Sequence, residues 1–244
     1  MHIEKHHPHS SILGIQMPVA VYGHYGTPVL IFPTSGSDFE EYERFGMIDT
    51  LSPFIESGMV KLFCINSINN LSWFDGWLPP AERARRQDLY DRYVVHEVVP
   101  FIYAHCRTPG LPIATLGASF GAYHAANTLF RHPTLFRWCI CMSGVYDVSM
   151  YFDGYHDDNC YFHNPVEYMS NLSDPYLLHE LSRCSINIIC GQGPWERVHW
   201  SRQMSDILWS RGIAHNFDLW GHDVAHDWPW WKVELTVYFP RLFG

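Results

Sequence analysis

The sequence has no apolar run of about eighteen residues or more, the length that a helix needs to cross a bilayer. Its first ten residues, MHIEKHHPHS, also lack the apolar stretch that marks a secretory signal. We therefore expect neither a membrane-spanning segment nor a cleaved leader.

Basic residues are scarce relative to acidic ones. Lys and Arg number 16 against 25 Asp and Glu, which gives a formal net charge of -9 with histidine neutral. No basic cluster interrupts this balance, and an acidic surface disfavours binding to nucleic acid and to anionic lipid. We expect no nucleic acid and no membrane among the partners of this chain.

The cysteines do not form a recognisable framework. There are seven, so at least one is unpaired, and none shows the CxxC spacing of zinc or redox sites. Cys64, Cys139, Cys141 and Cys190 lie in apolar runs, where free thiols behave as small buried hydrophobes. This usage predicts a reducing compartment, and we expect a cytoplasmic protein.

The order of elements carries the information on fold class. The 244 residues, 47% of them hydrophobic and 17% charged, suit one globular domain over residues 1–244. The predicted strands are 14–22, 28–33, 60–66, 112–117, 136–142, 186–191 and 215–220. The predicted helices are 39–57, 81–105, 120–131, 199–211 and one from about 228 onwards.

Strands and helices alternate along the chain, which predicts an α/β fold. Such an order forms a mostly parallel central sheet with helices on both faces. The irregular segment 146–185 is too short for a large cap domain. Ligands of these sheets bind beyond the carboxyl ends of the strands, so the chemistry is expected in the loops that follow them.

One such loop is a G-x-S-x-G pentapeptide, residues 117–121, placed between a predicted strand and a predicted helix. A serine in this setting sits on a tight turn that presents its hydroxyl above the sheet. Gly117 and Gly121 are needed because larger side chains would clash there. This pattern makes Ser119 the candidate nucleophile. The alternative is an ordinary glycine-flanked strand-to-helix turn.

A serine nucleophile needs a base, and two histidines follow the last predicted strand, His222 and His226. Their spacing, with Asp223 and Asp227 beside them, also allows a metal site. Pro229 and the predicted loop argue against one helical face that carries both histidines. We expect no metal and no cofactor.

Three short motifs resemble the "putative esterase" branch of the α/β-hydrolase superfamily, which includes esterase D, feruloyl esterases and mycolyltransferases. They are the pentapeptide 117–121, the helix end Val98–Ile102 and the ending His226–Trp231. The likeness spans roughly residues 28 to 240. It implies the α/β-hydrolase fold, serine-dependent ester hydrolysis, and His226 rather than His222 as the base.

The acid of a catalytic triad should lie between the serine and the histidine in chain order. Glu196 is the only carboxylate in the loop after strand 186–191. Mycolyltransferases are similar here, since they have Cys-Gly-x-Gly at the strand end followed by a catalytic Glu. The resemblance therefore favours Glu196, with Asp147 as the alternative and Asp223 as a weaker one.

Two backbone amides are expected to bind the oxyanion. The elbow predicts the Phe120 amide, which points at the space where the oxyanion forms. The second donor should come from the loop after strand 28–33, where Ser35 is favoured by position and Gly36 is next. The family usually has His-Gly or Asp-Gly before its donor, whereas this chain has Pro33-Thr34.

Aromatic residues are abundant in the loops that should overhang the site. Loops 67–80 and 146–165 hold many of them, and Trp73, Tyr146 and Trp228 are the candidates for a substrate pocket. The alternative for each ring is ordinary packing within its loop.

These features predict a serine hydrolase that cleaves carboxylic esters through an acyl-enzyme intermediate, with a Ser-His-Glu triad and a small-molecule ester as substrate. Three alternatives stay open. They are an acyltransferase with the same triad, a catalytically inactive binding protein of this fold, and a metal-dependent hydrolase that uses His222 and His226. The sequence also leaves open whether the chain forms a homo-oligomer.

Overall fold

The computed structural model describes residues 1–244 and contains one eight-stranded sheet. The strands are β1 (Ile3–His6), β2 (Val19–Tyr22), β3 (Thr27–Phe32), β4 (Val60–Ile65), β5 (Ile113–Ala118), β6 (Phe136–Met142), β7 (Ser185–Cys190) and β8 (Asn216–Leu219). Their spatial order is β1-β2-β4-β3-β5-β6-β7-β8. Only β2 runs antiparallel to its neighbours, so the other carboxyl ends share one edge.

Helices cover both faces of this sheet. They are α1 (Glu41–Arg44), α2 (Met47–Glu56), α3 (Pro80–Tyr93), α4 (Val99–Cys106), α5 (Phe120–Arg131), α6 (Asp158–Phe162), α7 (Pro165–Ser170), α8 (Pro175–Ser182), α9 (Val198–Ser210) and α10 (Trp228–Phe243). A π-helical turn, Val94–Val98, joins α3 to α4. Short 3-10 turns occur at Asn69–Leu71 and Ser149–Tyr151.

Two apolar cores lie on opposite faces of the sheet, because the buried strands alternate their side chains between them. Leu30 and Phe32 of β3 face a core that α3, α4, α5 and α9 complete. Val29 and Ile31 face the other core, which α2 and α10 cover. The predicted fold class is therefore confirmed, as is the absence of a large cap domain.

The structure differs from the predicted elements in three places. The strand predicted at 14–22 begins only at Val19, and β1 was not predicted. The helix predicted at 39–57 is divided at Gly46, whose φ of 69° interrupts helical geometry. Segment 146–185, predicted to be irregular, contains the short helices α6 to α8.

All seven cysteines are free thiols, and six of them are buried. Of the helices described above, none is both long enough and apolar enough to pass through a lipid bilayer.

One carboxyl group on the buried face of α10, that of Glu234, has no hydrogen-bond partner. The Glu234 side chain is fully buried, and neither of its oxygens has a hydrogen-bond partner. Burial raises the pKa of Glu234 from its ordinary 4.5 to about 8, and the charges of Glu196 and Asp218 add to this effect. At neutral pH Glu234 is therefore protonated and places no second negative charge beside Glu196.

This raised pKa makes the stability of the chain depend on pH. The folded state holds a proton on Glu234 that the unfolded state releases above about pH 4.5, so the stabilisation is full below that pH and is lost as pH rises towards 8. We expect Glu234→Gln to remove roughly 3 kcal/mol of the fall in unfolding free energy between pH 5 and 8. Urea titrations across this range measure it, with Asp206→Asn on α9 as the surface control. An unchanged pH slope in Glu234→Gln would contradict the assignment.

Candidate functional site

Ser119 lies between β5 and α5 in a strained backbone conformation. Its φ of 55° and ψ of -122° are costly for a residue with a side chain, by about 1–3 kcal/mol. The side chain is only partly buried. Strain of this kind at a strand-to-helix turn is the geometry of a nucleophile elbow, in which the hydroxyl projects above the carboxyl edge of the sheet.

The two flanking glycines are required by close backbone contacts. A Cβ atom on Gly117 would lie 2.1 Å from the carbonyl oxygen of Gly121, and one on Gly121 would lie 2.5 Å from that of Phe32. Neither neighbour is a flexible side chain that could move away. The prediction that both positions need glycine is confirmed, and the start of α5 is thereby held against the end of β3.

Backbone amides that donate no hydrogen bond within the chain lie on both sides of the contact between α5 and β3. Phe120 is the first residue of α5, so its N–H has no intrahelical acceptor. In the loop after β3, the Thr34 amide donates to Glu41 at 2.7 Å and is therefore occupied. The next two amides, those of Ser35 and Gly36, make no hydrogen bond within the chain and belong to exposed residues.

The loops that follow β7 and β8 pair through their backbones. The Gly193 amide donates to the Val224 carbonyl at 2.8 Å, and the His226 amide donates to the Pro194 carbonyl at 3.0 Å. A Cβ atom on Gly191 or Gly193 would lie 2.2 or 2.7 Å from the same Val224 oxygen. The glycines thus allow a backbone approach that sets Glu196 beside His226.

The imidazole and the carboxylate are within hydrogen-bonding reach. His226 Nδ1 lies 3.4 Å from Glu196 Oε2, a long contact of the kind that tightens when substrate binds. Only 1% of the Glu196 side chain is exposed, against 23% of the His226 side chain. A buried carboxylate that receives Nδ1–H fixes the tautomer and leaves the other ring nitrogen, Nε2, as an acceptor.

Three further groups donate to the Glu196 carboxylate. They are the Ser143 hydroxyl at 2.6 Å, the Gly191 amide at 3.3 Å and the Cys190 thiol at 3.4 Å. Burial raises the pKa of Cys190 to about 12, with a contribution from the Glu196 charge, so the thiol keeps its proton. A buried charge is costly unless it is well hydrogen-bonded, and these donors supply that stabilisation.

Ser143 and Trp231 are site residues that the sequence reasoning missed. Trp231 Nε1 donates to Ser143 Oγ at 3.0 Å, and its ring packs edge-on against the His226 imidazole with centroids 5.1 Å apart. Ser143 follows β6 directly and has a φ of 50°. Its position just past a strand end was the available signal, because that edge of the sheet holds the other site residues.

Backbone hydrogen bonds connect these strand ends in a row. The Ser119 amide donates to Met142 at 2.9 Å, and the Ser143 amide donates to Ile189 at 2.8 Å. The nucleophile candidate and the Glu196–His226 pair are therefore presented at one edge of the sheet. No hydrogen bond joins the Ser119 hydroxyl to His226 in this structure.

The other sequence candidates lie outside this network. His222 and Asp223 are exposed, and neither forms a hydrogen bond with His226. Asp147 Oδ1 accepts from the Ser149 amide and from Asn164 Nδ2, which holds it within its own loop. The only group of potential metal ligands in the chain includes neither His222 nor His226.

Two of the three aromatic residues that were expected to line a substrate pocket are buried in the interior instead. Trp73 is 1% exposed and donates to Tyr123, and Tyr146 is fully buried in the main core. Both rings pack inward and offer no surface to a ligand, so the expectation that they line a pocket is wrong. Trp228 is 8% exposed, with one ring face stacked on Phe45 at 4.7 Å.

Half-buried rings instead surround Phe120, the residue after Ser119. Phe74 lies 4.7 Å and Tyr151 lies 5.9 Å from the Phe120 ring, measured between centroids. Four cavities of about 200 to 860 Å³ lie elsewhere on the molecule, and neither Ser119 nor His226 lines any of them. Ser119 thus lines none of these four cavities, and an aromatic wall of Phe74 and Tyr151 borders the residue that follows it.

Solved structures share this fold at low sequence identity. A ferulic acid esterase superposes with a TM-score of 0.75 at 16% identity, covering 99% of this chain and 97% of its own. S-formylglutathione hydrolase from Staphylococcus aureus gives 0.71 at 15% identity over all of both chains. The fluorophosphonate-binding serine hydrolase F of Staphylococcus aureus gives 0.70 at 15%, covering 100% of this chain and 98% of its own.

A comparison with curated protein sequences finds no match. A family model, by contrast, matches nearly the whole chain, over residues 10–242, and that family is described as "Putative esterase". The resemblance seen in the three sequence motifs is thereby confirmed, and the chain belongs to this esterase family of the α/β-hydrolase fold.

Proposed function

We propose that the chain is a serine esterase that hydrolyses carboxylic esters, with Ser119 as nucleophile, His226 as base and Glu196 as the acid that orients it. The observation that carries this proposal is the contact of His226 Nδ1 with the buried Glu196 carboxylate, at the same sheet edge as the strained Ser119 turn. Membership of the esterase family supports the same reaction class.

The proposed reaction has two halves. Ser119 Oγ attacks the ester carbonyl carbon while His226 Nε2 takes its proton, and the carbonyl oxygen becomes an oxyanion. The intermediate collapses as the alcohol leaves with the proton from His226, which gives an acyl-serine. Water then attacks this ester with His226 as base, and the free acid and the serine hydroxyl are regenerated.

The oxyanion is assigned to the amides of Phe120 and Ser35. Phe120 offers the free N–H at the start of α5, and Ser35 is the first residue after β3 whose amide has no acceptor. A donor of this kind is worth about 3 kcal/mol in the transition state, because it is fixed before charge develops. Gly36 remains the neighbouring candidate for the second donor.

Hydrolysis is proposed rather than acyl transfer because the family that the chain belongs to is described as an esterase family. An acyltransferase must keep water from the acyl-serine, which requires an enclosed cavity. Ser119 is only partly buried and lines none of the cavities described above. Phe74 and Tyr151, whose rings are tilted by 49° to each other, form an aromatic wall beside Phe120, which suits an aryl or apolar acyl group next to the scissile bond.

A reducing location is consistent with the thiols. Each of the seven cysteines is free, including Cys139 and Cys141, whose sulfur atoms are 3.1 Å apart and form no disulfide bond. We propose the cytoplasm as the site of action.

The nucleophile is tested with p-nitrophenyl acetate and a fluorophosphonate probe. We expect wild type to turn over the ester and to be labelled at Ser119, and Ser119→Ala to lose labelling and at least about 10³-fold in kcat/KM. Ser37→Ala, a serine in the loop after β3, is the matched control and should retain activity. An unlabelled wild type without turnover would instead favour a non-catalytic binding protein.

The acid is tested by neutral substitutions at the three candidates. Glu196→Gln should lower kcat by about 10³- to 10⁴-fold, because an amide cannot stabilise the imidazolium and favours the wrong tautomer. Asp147→Asn and Asp223→Asn should stay within a few-fold of wild type, since neither carboxylate forms a hydrogen bond with His226. A large loss in Asp147→Asn with an active Glu196→Gln would reverse the assignment.

Ser143 is tested as a positioning residue. Ser143→Ala removes the 2.6 Å hydrogen bond to Glu196, and we expect kcat to fall by about tenfold with KM little changed. Ser143→Cys keeps a polar hydrogen without branching at this positive-φ position and should restore part of the rate, whereas equal losses in both variants would indicate a packing role. Thermal unfolding of each variant separates a loss of rate from a loss of fold.

A further inference from the structure

A cluster of three histidines surrounds one carboxylate at the edge of the sheet. His2, Glu4 and His6 alternate along β1 and the residue before it, so their side chains share one face of the strand. That face meets the last turn of α4, which contributes His105. In the sheet order, β2, β4 and β3 separate this cluster from the strand that carries Ser119.

The ligand atoms converge closely. His6 Nε2 lies 3.0 Å and His105 Nε2 3.2 Å from Glu4 Oε2, and the ligand atoms of these three residues lie within 4.8 Å of one another. Two ligands of a tetrahedral zinc ion, at bond lengths of about 2.0–2.1 Å, are separated by about 3.3 Å. The observed spacing therefore needs only small shifts to hold an ion.

We propose that Glu4, His6 and His105 bind one zinc ion, which fastens the edge strand β1 to helix α4. Two imidazoles and a carboxylate are ligands that zinc prefers, and imidazole favours it over calcium or magnesium. His2 is a positioning residue, because its Nε2 lies 2.6 Å from the other oxygen of Glu4 and orients the carboxylate. The fourth ligand is water.

The surroundings limit the movement of the two histidine ligands. The His6 ring packs edge-on against Phe101 at 5.2 Å, and the His105 ring packs against Phe63 at 5.7 Å. The one lysine on β1, Lys5, forms ion pairs with Glu40 and Glu43 and so does not compete for Glu4. Rings that are already oriented lose little freedom on binding, which favours affinity.

An entry path adjoins the cluster. A cavity of about 860 Å³ is lined by His2, Glu4 and His105, together with His24 and Lys61. Its wall includes Thr27 and Lys61 at the amino ends of β3 and β4, so it lies at the edge of the sheet opposite to Ser119. An ion reaches the three ligands from this side, and the cavity leaves room for the bound water.

The test uses the full chain without a polyhistidine tag, stripped with a chelator and titrated with zinc by calorimetry. We expect one zinc per chain in wild type. Glu4→Gln, His6→Gln and His105→Gln should each weaken binding by more than about tenfold, since even the loss of an outer partner of a ligand costs that much. His7→Gln and His9→Gln, which alter exposed histidines nearby, should leave the affinity unchanged.

Thermal unfolding gives a second readout. Zinc at about a hundredfold excess over its Kd should raise the Tm of wild type by about 5 °C or more, and this rise should vanish in Glu4→Gln. If a variant fails to fold, X-ray absorption of zinc-loaded wild type decides, with two imidazoles and oxygen ligands expected. Absence of stoichiometric binding, or equal affinity in the ligand and control variants, would overturn the proposal.

Discussion

The candidate site depends on one backbone contact, the approach of the β7 loop to the β8 loop at Gly191, Gly193 and Val224. Without side chains at the two glycines, the loops pair through hydrogen bonds from Gly193 to Val224 and from His226 to Pro194. This pairing determines where Glu196 and His226 stand relative to each other. Catalytic geometry must hold to within fractions of an ångström, so its precision comes from the backbone rather than from the two side chains.

Around this contact, hydrogen-bond donors and an uncharged neighbour stabilise the buried carboxylate of Glu196. Glu196 is almost wholly buried, and three donors stabilise its charge. They are Ser143, which follows β6, Cys190 at the end of β7, and Gly191, which follows β7. The neighbouring Glu234 avoids a second charge because it retains its proton at neutral pH. Trp231 completes the arrangement, since it supports Ser143 and packs against the imidazole. The last helix thus contributes both a hydrogen-bond donor and a neutral acid to the site.

Sequence patterns predicted correctly those strands and helices whose formation depends on the local sequence alone. The strand at 136–142 and the helix at 120–131 were predicted with the bounds that the structure shows, because a continuous apolar run and an alanine-rich helix after a tight turn are unambiguous. Strand β1 was missed, since an edge strand of His, Glu and Lys carries little apolar signal.

The remaining site features are tertiary and could not be predicted from the sequence. Loop composition placed aromatic residues near Ser119, but it could not show that Trp73 points inward while its neighbour Phe74 faces Phe120. Ser143 and Trp231 are 88 positions apart, and no local pattern links them. The strand-end rule did identify the loops that hold Ser119, Glu196 and His226, because that rule follows from the topology of a parallel sheet.

The position of Ser119 outside the four described cavities has a consequence for the size of the molecules that can meet it. A deep pocket contacts a ligand on all sides and excludes molecules that are too large to fit. The partly buried Ser119 lines none of the described cavities, and the rings of Phe74 and Tyr151, tilted by 49° to each other, border the residue that follows it. Under the proposed function, the described cavities therefore set no size limit on the molecule that carries the ester, and they reject neither a free ester nor one carried on a polymer.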